Sequence, residues 1–245
     1  MGRRGRKAPA SGPPPNFPPS TTRRGTEPSP AKWGRVGWGP SARTPHKYSG
    51  PQHAGLRIGL LGGSFNPAHA GHRHISVYAL NALGLDQVWW LVSPQNPLKS
   101  AADMGSLAER LAWARIAARH PRIRVTALEC SLGTRYTADT LKQLTRRFPK
   151  TRFVWLMGAD NLRQIPRWRD WTRIFRLVPI AVFSRPTYSL GALGGVAAQR
   201  FARRRVPDLR ARGLADATPP AWTFLRNPLH PASATAIRRA RARGS

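Results

Sequence analysis

The fold is decided by residues 57–72, which read RIGLLGGSFNPAHAGH. The apolar stretch at 57–61 predicts a β-strand, and the glycine pair at 62–63 predicts a turn, because glycine takes backbone angles that are closed to other residues. The helix expected to follow offers unpaired N–H groups and the positive end of its dipole. The stretch therefore predicts a phosphate-binding loop between a strand and a helix.

Two histidines, His69 and His72, stand three residues apart where this helix is expected to begin. At that spacing both rings share one face above the anion site, where protonated or hydrogen-bonding imidazoles can stabilise a transferring phosphate. A glycine pair alone is often an ordinary turn, but the length of the run argues against that alternative. A metal site that includes His74 is disfavoured, because no carboxylate or cysteine lies nearby and the i, i+4 histidine pair of zinc hydrolases is absent.

From residue 56 onward, short apolar runs alternate with helical patterns. Strands are predicted near 57–61, 88–92, 123–127, 153–157, 179–183 and 222–225, and helices near 70–83, 106–119, 136–147 and 169–176, with a short helix from about 233. Residues 187–220 predict a long loop or a partly helical insertion. Repeated βα units predict an α/β fold, a Rossmann-like doubly wound parallel sheet with helices on both faces and ligands beyond the carboxyl ends of the strands.

The chain of 245 residues carries 41 Lys and Arg against 10 Asp and Glu, a formal net charge of +31. Such a charge attracts anions such as nucleotides, nucleic acid or acidic lipid. Reactions that need a close acidic pair, such as glycoside hydrolysis, are poor candidates, whereas the positioning of phosphates is favoured.

Cys130 is the only cysteine, which excludes an internal disulfide and predicts a buried, inert thiol. No apolar run is long enough to cross a bilayer, and the amino terminus lacks a secretory signal, so we expect a cytoplasmic protein without a membrane partner.

Residues 1–55 are rich in Pro, Gly, Ser, Arg and Lys, with Glu27 as their only acidic residue. They cannot bury enough apolar surface to offset the entropy of ordering, so we expect a disordered basic tail before a catalytic domain at 56–245. The composition also matches an organelle transit peptide, an extension from a misassigned start codon, or an arm that binds nucleic acid nonspecifically.

A second anion site is predicted where the last helix begins. Ser233 and Thr235 place two hydroxyls beside free N–H groups there, and Arg238 follows about one turn later. Ordinary helix capping is the alternative interpretation.

The run at 62–72, which follows the apolar stretch, resembles the phosphate-binding signature of the nucleotidyltransferase superfamily, whose H-x-G-H core stands here as His69-Ala70-Gly71-His72. Within that superfamily it is most similar to bacterial nicotinate-nucleotide adenylyltransferases, and residues 233–238 resemble their S-x-T-x-x-R motif. The resemblance implies that His69, His72 and Arg238 are catalytic. It also implies that ATP is bound by Gly62, Gly63, Ser64, Phe65, Ser233 and Thr235.

Two further stretches resemble this family. Residues 158–160 match its G-A-D motif, which implies that Gly158 and Asp160 bind ATP through the ribose hydroxyls, with a helix cap as the alternative. Trp168 stands where the family has a tryptophan and is expected to stack on a pyridine ring, unless it only packs.

Residues 134–141, TRYTADTL, resemble a family stretch that implies recognition of the nicotinate nucleotide by Tyr136 and Thr137, with a helix start and a core tyrosine as the alternative. Lys99 matches a family lysine after a proline-rich loop, and Arg185 matches the R-P-x-Y end of a strand. Both are expected in the ATP site, and a solvated surface lysine is the alternative for Lys99.

The resemblance implies transfer of AMP from ATP, with Mg²⁺, to nicotinate mononucleotide, giving nicotinate adenine dinucleotide and pyrophosphate. Adenylyl or cytidylyl transfer to another phosphorylated acceptor such as phosphopantetheine is the first alternative, and a basic nucleic-acid-binding protein with an inactive nucleotide fold is the second. The sequence leaves open whether the protein forms a homo-oligomer.

Two departures from the family pattern stand out. Asn66 replaces a common aspartate, and it is expected to be tolerated because it keeps the acceptor oxygen and the turn preference. The chain ends at Ser245, without the further helix and L-V-P segment of many relatives, which puts oligomer contacts in doubt.

Overall fold

A computed structural model describes residues 53–94, 104–185 and 189–230, together with residues 232, 234, 235, 237 and 238. Residues 1–52 of the tail predicted at 1–55, together with Lys99 and Ser233, lie outside the described residues, whereas residues 53–55 are described.

The strands are β1 (Arg57–Gly63), β2 (Gln87–Val92), β3 (Ile123–Thr126), β4 (Arg152–Gly158), β5 (Ile180–Phe183) and β6 (Trp222–Leu225). They form one parallel sheet in the order β3-β2-β1-β4-β5-β6. This is the strand order of a doubly wound Rossmann sheet, so the predicted fold class is confirmed.

The helices are α1 (Ala70–Ala82), α2 (Leu107–Ala118), α3 (Leu128–Ser131), α4 (Thr137–Arg147), α5 (Ala159–Gln164), α6 (Trp171–Leu177), α7 (Ser189–Leu193) and α8 (Val196–Arg200). The predicted insertion at 187–220 is partly helical, with α7, α8 and two 3₁₀ segments, Ala202–Arg204 and Asp208–Asp216. Among the described helices, none has both the length and the apolar character that a membrane crossing requires.

Both faces of the sheet are buried, because side chains of one strand alternate between two apolar layers. In β2, Trp89 and Leu91 belong to one core, whereas Val88, Trp90 and Val92 belong to the other. A strand buried on both sides reads as a continuous apolar run, which explains why the sequence located all six strands.

The position of β1 determines where a ligand can bind. β1 pairs with β2 on one side and with β4 on the other. The strands β2 and β3 lie on one side of β1, whereas β4 and the strands after it lie on the other side, so the strand order reverses between β1 and β4. Open α/β sheets bind ligands in the crevice beyond the carboxyl ends of strands at such a point. Gly63 and Gly158 end the two strands that flank this crevice.

Candidate active site

The loop after β1 turns in a different way from the one predicted. Gly62 and Gly63 lie within β1 and neither has a positive φ, whereas Phe65 has a left-handed φ of 48°. Glycine is required at position 62 because a Cβ there would run into the ring of Trp155 on β4. The prediction that the glycines make the turn is therefore wrong. Position 62 requires glycine because the neighbouring strand β4 leaves no room for a side chain there.

Phe65 is fixed in its left-handed conformation by packing. Its side chain is 2% exposed and stacks on Trp90, with ring centroids 5.0 Å apart and an interplanar angle of 16°. A positive φ is unfavourable for a side chain of this size and persists only where the surroundings impose it. The peptide groups of the loop are therefore set before any ligand binds.

The backbone at the start of α1 sets the tautomers of both histidines. His69 is the N-cap residue, and its Nδ1 accepts a hydrogen bond from the Gly71 N–H at 3.1 Å. His72 Nδ1 accepts one from the His69 N–H at 3.2 Å, which completes a reciprocal capping box. A ring nitrogen that accepts a hydrogen bond carries no proton, so each neutral imidazole bears its proton on Nε2. The ring centroids are 3.9 Å apart, which places two N–H donors together.

His69 is neutral at physiological pH. Burial, together with the nearby charges of Arg185 and His230, lowers its pKa from 6.5 to about 4, and burial has the largest effect. Only 7% of the residue is exposed. Of the two modes that the sequence left open, a protonated ring or a hydrogen-bonding ring, the structure selects hydrogen bonding for His69.

The short helix predicted from about 233 shows helical backbone at residues 234, 235, 237 and 238, and it reaches the loop after β1. Arg238 Nη1 donates a hydrogen bond to the Asn66 carbonyl at 2.7 Å, across a sequence separation of 172 residues. A Cβ at Gly71 would lie 2.9 Å from the His69 ring and 3.1 Å from the Ala232 carbonyl, so the motif glycine allows this close approach. Thr235 lies in the same helix and is exposed. The two predicted anion sites are thus adjacent, and phosphate contacts of Thr235 and Arg238 remain predictions.

Asn66 uses its side-chain oxygen as an acceptor, as predicted from the sequence. Its Oδ1 accepts a hydrogen bond from the Gly105 N–H at 3.2 Å. An aspartate could accept the same bond, which explains how the substitution is accommodated.

Asp160 and Arg185 stand together at the carboxyl ends of β4 and β5. Asp160 Oδ1 lies 3.7 Å from Arg185 Nε, and a Cβ at Gly158 would clash with Asp160 Oδ1 and come within 3.0 Å of Arg185 Nε. Gly158 therefore lets the carboxylate fold back towards the arginine, whose charge also acts on His69. Within the described ranges, no group of three or more His, Cys, Asp or Glu side chains could hold a metal ion.

The residues predicted for the acceptor gather at the start of α4. Tyr136 is the N-cap residue and Thr137 is the first residue of that helix. The Arg169 guanidinium lies over the Tyr136 ring, 4.7 Å from its centroid, and both residues line an open cleft of about 730 Å³. Trp168 packs against the apolar core, as its alternative interpretation expected. Its contact with a pyridine ring remains a prediction.

Sequence reasoning missed Glu129, a buried carboxyl on α3. It is 6% exposed, and its Oε1 accepts a hydrogen bond of 3.4 Å from Thr140 Oγ1. Burial raises its pKa to about 7, although hydrogen bonds with Thr140 and Ser93 oppose this. The same short helix turns Cys130 outward, so the prediction of a buried thiol is wrong. With four residues, α3 is too short to give a periodic signal.

Comparison with known proteins places this chain in a family. The profile of the cytidylyltransferase-like family matches residues 60–240. A Caulobacter sp. (strain K31) protein named "probable nicotinate-nucleotide adenylyltransferase" is 52% identical over 189 residues, which cover 77% of this chain and 100% of that protein. A protein of the same name from Parvibaculum lavamentivorans is 56% identical over 184 residues, which cover 75% of this chain and 92% of that protein.

The chain belongs to the nicotinate-nucleotide adenylyltransferases of the cytidylyltransferase-like family. The resemblance stated from the sequence is thereby confirmed. Solved structures agree with this on the fold alone. The Plasmodium falciparum nicotinic acid mononucleotide adenylyltransferase complexed with NaAD aligns with a TM-score of 0.55 at 16% identity, covering 75% of this adenylyltransferase and 83% of that chain. The same protein complexed with APC aligns with a TM-score of 0.53 at 15% identity, with the same coverage of both chains.

Proposed function

We propose that the chain transfers the AMP unit of ATP to nicotinate mononucleotide in the cytoplasm, forming nicotinate adenine dinucleotide and pyrophosphate on the route to NAD. The observation that carries this proposal is the pair of Nε2–H donors on His69 and His72, fixed by the backbone beyond the carboxyl end of β1. Relatives at 52% and 56% identity carry the name of this activity.

The reaction requires alignment and charge stabilisation. A phosphate oxygen of the acceptor attacks the α-phosphorus of ATP and forms the new P–O bond. The bond to the bridging oxygen of pyrophosphate breaks, and its electron pair leaves with pyrophosphate. Because the attacking oxygen is already anionic, no general base is needed, and catalysis rests on holding the reactants in line and neutralising the leaving group.

His69 and His72 donate from Nε2 to oxygens of the α- and β-phosphates. His69 acts as a neutral donor, since its pKa of about 4 keeps it unprotonated at pH 7. Backbone N–H groups of residues 62–65 hold the nucleotide, and Arg185 and Arg238 add positive charge. Mg²⁺ accompanies ATP as part of the substrate, held mainly by phosphates and water.

The remaining predicted contacts complete the two substrate sites. Asp160 accepts hydrogen bonds from ribose hydroxyls near Gly158, and Ser233, Thr235 and Lys99 contact the ATP phosphates. On the acceptor side, Tyr136 and Thr137 recognise the nicotinate nucleotide, and Trp168 contacts its ring.

Parallel kinetics with three acceptors test this proposal. Purified protein is given MgATP with nicotinate mononucleotide, nicotinamide mononucleotide or phosphopantetheine, and products are separated by chromatography. We expect nicotinate adenine dinucleotide and pyrophosphate in equal amounts, with a higher kcat/KM for nicotinate mononucleotide than for phosphopantetheine. Turnover with phosphopantetheine and none with nicotinate mononucleotide would reverse the assignment.

A further inference from the structure

Arg110 on α2 is a buried cation bound entirely by backbone. The residue is 1% exposed. Its guanidinium donates four hydrogen bonds of 2.6–2.9 Å, to the carbonyl oxygens of Ser64, Ser93, Pro94 and Gly105. In the described part of the chain, no carboxylate lies within 4.0 Å of it. Arginine is seldom fully buried without an acidic partner, so this arrangement calls for a reason.

The four carbonyls belong to three segments that meet beyond the sheet. Ser64 lies in the loop after β1, Ser93 and Pro94 follow β2, and Gly105 precedes α2. The planar guanidinium, with five N–H donors in fixed directions, can bind all of them at once. Arg110 thus ties the phosphate-binding loop to the next strand and to the start of α2.

The bond to Ser64 also orients the following amide. The Ser64 carbonyl and the Phe65 N–H belong to one planar trans peptide, so they point in opposite directions. When Arg110 holds the carbonyl, the Phe65 N–H faces away from Arg110. Phe65 has the strained φ of 48°, and the carbonyl of the residue that follows it, Asn66, is held by Arg238. Two arginines therefore bind the loop on either side of its strained residue.

We propose that Arg110 is a positioning residue for ATP: by holding the Ser64 carbonyl, it aims the Phe65 N–H at a phosphate oxygen. This inference rests on the proposed function, because it assumes that ATP phosphates occupy the loop. Arg110 itself touches no substrate. A lysine keeps the charge but has three donors on one nitrogen, so it cannot reproduce the four bonds.

The test compares R110K with R115K, a matched substitution at an exposed arginine on the same helix. Binding of a non-hydrolysable ATP analogue with Mg²⁺ is measured by calorimetry, and kcat and the KM for ATP are measured with nicotinate mononucleotide. The bond from the Phe65 N–H to a phosphate oxygen has a charged acceptor, and the loss of such a hydrogen bond accounts for roughly a 10- to 100-fold change in binding. We expect the analogue to bind R110K weaker by about that factor, with a raised KM for ATP, and R115K to bind it within about twofold of the wild type.

A role in folding alone would lower the melting temperature of R110K but leave analogue affinity and the KM for ATP of the folded protein unchanged. That result would overturn the inference while the proposed function stands. If the wild type itself does not bind the analogue, the proposed function fails first.

A second measurement needs no substitution, in case R110K does not fold. In ¹⁵N-labelled wild-type protein, the Phe65 amide should shift and exchange more slowly with solvent when the analogue binds. An unchanged Phe65 amide at saturating analogue would refute the assigned role of Arg110.

Discussion

Replacement of His69 by alanine removes a hydrogen-bond donor to the phosphates and a helix cap together. The loss of the donor affects catalysis, the loss of the cap affects stability, and the two effects differ in size. Loss of the hydrogen bond between His69 Nδ1 and the Gly71 N–H costs about 1 kcal/mol of stability, as for other N-caps. In a domain of this size that corresponds to a fall of roughly 2–4 °C in melting temperature. Loss of the Nε2–H donor should lower kcat by about 10²- to 10³-fold, the effect of removing one preorganised donor. Catalysis should therefore fall much further than stability.

The H69N variant separates the two roles. Asparagine is among the best N-cap residues, so H69N should regain most of the stability that H69A loses. Its amide lies closer to the backbone than the imidazole Nε2, so it should not restore turnover. Pyrophosphate release is followed at saturating MgATP and nicotinate mononucleotide, and unfolding is followed by circular dichroism. A folded H69A protein with kcat within about threefold of the wild type would refute the role of His69 as a donor to the reacting phosphates.

Three other predictions address the loop, the histidine rings and the buried carboxyl. Gly62→Ala should destabilise the fold by about 1–3 kcal/mol, because the new methyl group meets the Trp155 ring, and a change below about 0.5 kcal/mol in denaturant melts would contradict this. Long-range ¹⁵N NMR at pH 7 should show His69 as the neutral Nε2–H tautomer, and a predominant Nδ1–H form would contradict the site geometry. The stability of E129Q relative to wild type should increase by about 2–3 kcal/mol between pH 5 and pH 8. The reason is that folding raises the Glu129 pKa from 4.5 to about 7. The contribution of Glu129 to the stability of the wild type is therefore present at low pH and is lost as the pH rises through 7. A stability difference between the two proteins that does not change with pH would exclude this shift.

The strands of the sheet could be located from the sequence because each strand is buried on both faces and therefore consists of a continuous run of apolar residues. The sequence could also place His69 and His72 at the start of a helix, since local spacing determines that position. The tautomers, by contrast, follow from the hydrogen bonds of the Gly71 and His69 N–H groups, which only the cap geometry defines.

Features that depend on distant contacts were beyond prediction. The need for glycine at position 62 comes from Trp155, and the strained backbone falls on Phe65, which no turn rule indicates. Arg110 looks like any other cation in a chain with 41 Lys and Arg, and its burial becomes visible only when the loops after β1 and β2 close around it.

A crystal structure with MgATP, or with a non-hydrolysable analogue, tests the central claim most directly. We predict that oxygens of the α- and β-phosphates lie within hydrogen-bond distance, about 2.7–3.2 Å, of Nε2 of His69 and His72. A triphosphate bound elsewhere on the protein, or imidazoles that turn Nδ1 towards it, would contradict the account.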